Sequence, residues 1–206
     1  PEARTNLSLV AYNGYLYAIG GQNASGTITN TVYVAKLGAN GEPRLWHPTN
    51  PNQSSWVYWY KDADLTSPRA DFTATAYNNR LYLIGGRTTS GVVSTVQISD
   101  ISPTGTLGSW TNSTSLPSNL YGHGAAIYND RIYTVSGASS VGSQPLTNVR
   151  YNKINADGSL NNWVDTTPLP EGRLTGGGTM SAVWGAYLYI SGGCGTVNAS
   201  GYCTAV

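Results

Sequence analysis

The sequence predicts an all-β chain built from a repeated, four-stranded antiparallel unit. Three observations carry that expectation. A ten-residue segment recurs four times along the chain. A glycine-to-tryptophan step of five residues follows it in each of the first three copies. The composition holds 25 Gly, 15 Tyr and 6 Trp among 206 residues, with only 10% charged, well below the roughly 25% of an ordinary soluble domain.

The recurring segments are residues 12–21 (YNGYLYAIGG), 77–86 (YNNRLYLIGG), 128–137 (YNDRIYTVSG) and 184–193 (WGAYLYISGG). Their leading aromatics stand 65, 51 and 56 residues apart. The second marker runs from Gly41 to Trp46, Gly105 to Trp110 and Gly158 to Trp163. A third, Leu116-Pro117 and Leu169-Pro170, follows six residues after its Trp, whereas Leu65 follows Trp46 by nineteen. The first copy therefore carries an insertion of 13 residues, without which its period is 52. Repeats with three markers in constant order require one structural unit per period.

Within a unit, residues 71–77 and 124–128 are small or β-prone and suit a crowded first strand. Asn13-Gly14, Asn78-Asn79 and Asn129-Asp130 tolerate positive φ and close a tight hairpin. The second strand alternates, with Leu16, Ala18, Leu81, Leu83, Ile132 and Thr134 on one parity. Glycine then ends it, where a side chain would clash or the chain turns left-handed. A third strand is expected over 31–36, 95–100 and 148–154. The turns Asn40-Gly41, Thr104-Gly105 and Asp157-Gly158 lead to a fourth strand bearing the Trp. No long 3.6-residue period interrupts this order, so helix content should be close to nil.

Segment 77–86, together with Leu116-Pro117 followed by His123, resembles kelch repeats, and the resemblance covers essentially the whole chain. Four-stranded units of about fifty residues are the signature of kelch-type β-propeller blades. The resemblance implies a kelch-like propeller with blade 1 over 1–64 (insertion 47–64), blade 2 over 65–115, blade 3 over 116–168 and an incomplete blade 4 over 169–206. These are expected to form part of a six- or seven-bladed ring, with the remaining blades outside the 206 residues. Residues 1–4 (PEAR) match 170–173 (PEGR), as if the chain began inside a blade's opening motif. In this family the glycines (Gly20, Gly21, Gly85, Gly86, Gly137, Gly192, Gly193), the later Trp, and the Arg and His of the first strand are mainly structural. The Arg position is Arg4, Arg69 and Arg173, but Leu120 in the third repeat. The His position is met by His123 alone, read as a satisfied strand histidine. Trp46, Trp110 and Trp163, at fixed spacing from a turn, are read as inter-blade packing.

Charge and composition bound the function. Eleven Lys and Arg against ten Asp and Glu supply no basic field for nucleic acid. No apolar run of about twenty residues could span a bilayer. Cys194 and Cys203 fall on opposite stems of one hairpin, within reach of a disulfide, which would imply an oxidising compartment. Asn23, Asn52, Asn112 and Asn198 carry the glycosylation acceptor pattern. The Thr/Asn/Gly-rich surface resembles bacterial cell-surface repeat proteins, and the chain is expected to be secreted or displayed at a cell surface.

The most unusual stretch is the insertion, containing Trp56, Tyr58, Trp59 and Tyr60. Placed between the last strand of blade 1 and the first of blade 2, it would emerge on the loop face around the channel mouth. There it would form an aromatic platform for sugar rings or a partner protein, unless it folds back on its own blade. No nucleophile elbow, phosphate loop or metal-ligand spacing appears, and nothing implies a bound cofactor. The expected function is therefore a binding or adhesion module for a glycan or cell-surface protein. The alternatives are part of a sugar-acting propeller enzyme of oxidase or epimerase type, or a structural spacer.

Overall fold

The computed structural model describes residues 2–46, 57–175 and 181–205, and no helix occurs among them. Trp56 and Asn52 lie outside the described residues.

Blade 1 opens with β1 (Ser8–Tyr12) and β2 (Tyr15–Ile19), paired from Ser8↔Ile19 to Tyr12↔Tyr15. Asn13 and Gly14 close that hairpin at φ 46 and 79, and a turn of this hand matches the twist of the flanking strands. β3 (Val32–Leu37) pairs with β2 over five residues. The outer edge of β3 is shared by β4 (Pro43–Arg44) and β5 (Tyr60–Lys61). The insertion therefore differs from expectation: it does not follow the last strand of blade 1 but interrupts it. Trp46 bridges Val57, and β5 then resumes the pairing at Tyr33 and Val34. The reason is the hydrogen-bonding demand of β3, whose outer edge needs a partner along its length.

Blade 2 comprises β6 (Thr73–Tyr77), β7 (Arg80–Ile84), β8 (Val96–Asp100) and β9 (Thr111–Ser113), paired in that order. Blade 3 repeats it with β10 (Gly124–Tyr128), β11 (Arg131–Val135), β12 (Val149–Lys153) and β13 (Val164–Thr166). In blade 4 the described residues provide β14 (Ser181–Trp184) and β15 (Tyr187–Ile190).

First strands approach one another in sequence, β1 against β6, β6 against β10 and β10 against β14, so they line a common axis. Strand alternation gives every blade two apolar faces. Tyr15, Tyr17, Ile19 and Val34 of blade 1 pack on Leu81, Leu83 and Trp110 of blade 2. Tyr82, Ile84 and Val96 of blade 2 pack likewise on Ile132, Ile154 and Leu160 of blade 3. The core is thus a series of inter-blade layers. At the end of β7, Gly85 has φ +57, and a Cβ there would stand 2.3 Å from the Leu120 carbonyl of the next blade. Only glycine permits that approach.

Near the axis the blades are tied by backbone bonds. Asp71 N–H donates to Asn6 O (3.0 Å), Gly122 N–H to Asp71 O (2.8 Å) and Thr175 N–H to Gly122 O (3.0 Å). Asn6, Asp71 and Gly122 all hold φ between 54° and 59° to make this circumferential chain.

Candidate binding site at the channel mouth

Two repeat positions ring the channel where the second-to-third-strand loops emerge. One precedes each first strand: Asn6, Asp71, Gly122 and Thr175. The other follows each glycine pair or its equivalent: Gln22, Arg87, Ala138 and Cys194. Short antiparallel bridges tie the rings together, Thr5 to Gln22, Ala70 to Arg87, Tyr121 to Ala138 and Leu174 to Cys194. The same bridge recurs in all four blades, so the side chain occupying each ring position sets the chemistry.

Blade 2 places a carboxylate and a guanidinium there. Arg87 Nε donates to Asp71 Oδ2 at 2.6 Å. Asp71 is only 4% exposed; burial pushes its carboxyl up, and the Arg87 charge and hydrogen bond pull it back. The terminal amino groups of Arg87 donate to no acceptor among the described residues. Around the pair is a cavity of about 440 Å³, with Asn6, Gln22, Tyr121 and Thr175 in its wall and the Ser200–Cys203 stem across from them. The Tyr121 hydroxyl is sealed from solvent and makes no hydrogen bond of ordinary geometry, although the Gly142 amide lies close enough to hold its pKa down. Burial is the larger influence and raises it. A fixed guanidinium with open donors beside hydroxyl and amide groups can recognise a polar, oxygen-rich ligand.

The Ser200–Cys203 stem is held in place by covalent and local bonds. Cys194 and Cys203 form a disulfide with Cα atoms 5.5 Å apart. Asn198 Oδ1 accepts from the amides of Ser200 and Tyr202, an Asx-type turn. Among the described residues no cluster of three or more His, Cys, Asp or Glu is placed to hold a metal ion. Nor is any helix long and apolar enough to cross a membrane.

The aromatic residues of the insertion do not converge. Tyr60 turns inward, its ring 6.2 Å from that of Trp46. Trp59 faces the opposite side of blade 1, beside Arg4 and Tyr33 in a cleft of about 210 Å³. Tyr58 is 55% exposed. Of the other acceptor-pattern residues, Asn23 Oδ1 caps its own turn by accepting from Ser25 and Thr27, and Asn112 Oδ1 accepts from Gln97 Nε2.

The repeat residues lie at blade junctions and strand ends. Trp110 Nε1 donates to Ala63 O and Trp163 Nε1 to Thr114 O, both at 3.2 Å and both in the preceding blade. Trp46 is buried with its Nε1 unpaired. Arg69 Nη1 donates to the carbonyls of Gly85 and Thr95; burial lowers its pKa to about 10. His123 corrects the expectation of a satisfied strand histidine. Both ring nitrogens are buried without partners, and burial drives its pKa down to about 3. The ring fills the apolar slot under Gly85 that Phe72 fills under Gly20.

A family model described as "Kelch motif" matches residues 3–34. Kelch-like protein 36 of Rattus norvegicus is 26% identical over 173 residues, covering 84% of this chain and 25% of the relative. Kelch repeat protein M-T8 of Myxoma virus is 26% identical over 203 residues, 98% of this chain and 34% of the relative. A solved structure titled "Structure of YjhT" superposes with TM-score 0.67 at 17% identity, over 93% of this chain and 59% of that one. The chain is thus similar to kelch-repeat proteins, with a kelch motif at residues 3–34, and its fold is that of propeller blades. The chain spans about a quarter of the length of the first curated relatives it matches.

Sequence reasoning passed over Asp71 and Arg87. The signal was present: Arg87 directly follows the glycine pair and Asp71 stands two residues after Arg69, at repeat positions that are uncharged in the other blades. A charged residue at such a position needs a reason.

Proposed function

We propose that this kelch propeller is a binding module that takes a polar, hydroxyl-rich ligand, the end of a glycan, at the channel mouth. The Asp71–Arg87 pair carries this reading, since a guanidinium anchored by a buried carboxylate presents its remaining donors without ordering cost. The concave, mixed-polarity cavity suits a small ligand better than a flat protein surface. Recognition is favoured over catalysis because Asp71, the carboxylate that lines the cavity among the described residues, is buried and committed to Arg87. The disulfide fits an oxidising, extracellular setting. Tyr58, exposed in the insertion, would serve a second contact with a larger glycan or its carrier protein.

A glycan array probed with the wild-type chain and with Arg87→Ala tests the reading. Binding lost in Arg87→Ala with the chain still folded is expected, at a lowered melting temperature because Asp71 is left buried without its partner. An array on which the wild type binds nothing returns the chain to a spacer role.

A further inference from the structure

Where blade 1 meets blade 2, and blade 2 meets blade 3, the first residue of the second strand lies against a turn of the following blade. Tyr15 lies on Gly105 and Arg80 on Gly158, where an added Cβ would stand 2.4 and 2.5 Å from the respective side chains. Between blades 1 and 2 the slot is filled. Tyr15 is buried there, its ring 5.5 Å from that of Trp46, which in turn meets Tyr60. Lys36, opposite Tyr15 in the strand register, lies 5.7 Å over the ring. Between blades 2 and 3, Arg80 stands at the position of Tyr15 and Asp100 at that of Lys36. A cavity of about 270 Å³ remains beside them, with Ser109, Thr111 and Asn112 of blade 2 and Asp157 of blade 3 in its wall. Blades 2 and 3 each have all four strands, so the cavity is formed by two finished blades.

The charged groups of the wall are held in fixed positions. Arg80 Nε donates to Asp100 Oδ1 at 2.8 Å, and its terminal amino groups have no acceptor among the described residues. Asp157 Oδ1 accepts from the Ser159 amide at 3.0 Å and from its hydroxyl at 2.7 Å. Those bonds hold the Asp157 carboxyl below its ordinary pKa, and its second oxygen has no donor among the described residues. The wall thus combines fixed donors, a fixed acceptor, two hydroxyls and an amide. Two carboxylates against one guanidinium leave a net negative charge that disfavours an anion, while Arg80 itself repels a cation. A neutral polyol fits both conditions. Each of its hydroxyls gives and accepts a hydrogen bond, so neighbouring ones can bind carboxylate and guanidinium together. The cavity falls just under the roughly 300–1,000 Å³ of ordinary ligand sites, a size suited to one sugar ring.

We propose that the groove between blades 2 and 3 is a binding site for a neutral saccharide unit, whose hydroxyls accept from Arg80 and donate to Asp157. It is separate from the channel mouth. Arg80 opens β7, whereas Arg87 follows the far end of that strand, and neither Asp71 nor Arg87 lines the groove. Either site can therefore exist without the other.

The probes are the methyl glycosides of glucose, galactose and mannose, each titrated into the nitrogen-15-labelled 206-residue chain and followed by amide NMR. At least one should give saturating shifts at Asn112, Ser113 and Gly158, with a midpoint of about 1 mM, the affinity of a small open site. Arg80→Tyr, which copies Tyr15 over Gly105, should fill the cavity and abolish those shifts in a chain that still melts cooperatively. Asp157→Asn can keep the Ser159 turn and should weaken binding about tenfold, the effect of losing one hydrogen bond to a charged group. Glucuronate, which adds a negative charge, should bind more weakly than the neutral sugar. No saturation with any of the three by about 10 mM, tenfold past that midpoint, overturns the proposal. So does binding that is unchanged in either variant, or glucuronate binding as tightly. Shifts confined to amides around Asp71 and Arg87 overturn it as well, by assigning the sugar to the channel mouth.

Discussion

The Tyr17 hydroxyl donates to the carbonyl of Gly105 at 3.0 Å, across 88 residues of sequence. Tyr82 makes the same bond to Gly158 at 3.1 Å. The third-to-fourth-strand turns of blades 2 and 3 thus plug into the second strand of the blade before them. Gly105 sits so close to the Tyr15 ring that a Cβ would stand 2.4 Å from it. Gly41, at the matching turn of blade 1, has no atom within 4 Å of where its Cβ would be.

Those two glycines separate backbone strain from junction packing. Both have φ +80, so alanine at either costs about 1 kcal/mol of left-handed strain. Gly105→Ala also drives a methyl into Tyr15, which raises the expected loss to about 2–3 kcal/mol. Urea titration of both variants checks this; equal losses would mean that the junction tolerates a side chain.

Acid should unfold the protein through His123. Its folded-state pKa is lowered to about 3, whereas the unfolded chain takes up a proton near 6.5. The contribution is complete above pH 6.5 and falls as pH drops from there towards 3, by about 1 kcal/mol per pH unit. His123→Phe, which copies Phe72, should flatten that slope and hold its stability at pH 7. Melting temperatures from pH 7 to 4 decide it, and a parallel acid slope in both proteins would place the sensitivity elsewhere.

Reduction of Cys194–Cys203 should act locally. Bridges of this kind contribute about 2–4 kcal/mol, and this one closes a nine-residue separation beside the mouth. Dithiothreitol is expected to speed amide exchange over 196–205 and to weaken ligand binding, with exchange in β6–β12 unchanged. Loss of protection throughout blades 2 and 3 would contradict this.

Tyr60→Ala should lower stability by about 2 kcal/mol or more, because it removes a ring packed on Trp46. Tyr58→Ala, at an exposed position, should stay within about 0.5 kcal/mol of wild type. Thermal denaturation of the pair tests whether the insertion's return strand is part of the blade.

The repeat and the hairpin turns were legible because the signals that mark them are each encoded within about ten residues. Asn78-Asn79 adopts positive φ for reasons contained in its own dipeptide, and β7 is buried on both faces because Leu81, Tyr82, Leu83 and Ile84 are all apolar. The insertion was harder to place. Tyr60 and Trp59 are adjacent and chemically alike, yet one faces the core shared with blade 2 and the other a cleft beside Arg4 and Tyr33. What separates them is the strand pairing of Tyr60 with Val34, a contact between residues far apart in sequence.

The amino-acid sequence alone determined the period, the kelch character and the residues that shape each blade, since local turn preference and strand alternation are short-range properties. Tertiary structure alone decided where chemistry collects. Asp71 and Arg87 meet Asn6 and Gln22 because hydrogen bonds around the axis bring equivalent positions of successive blades together, and radial packing of that kind leaves no mark in the spacing of any one repeat.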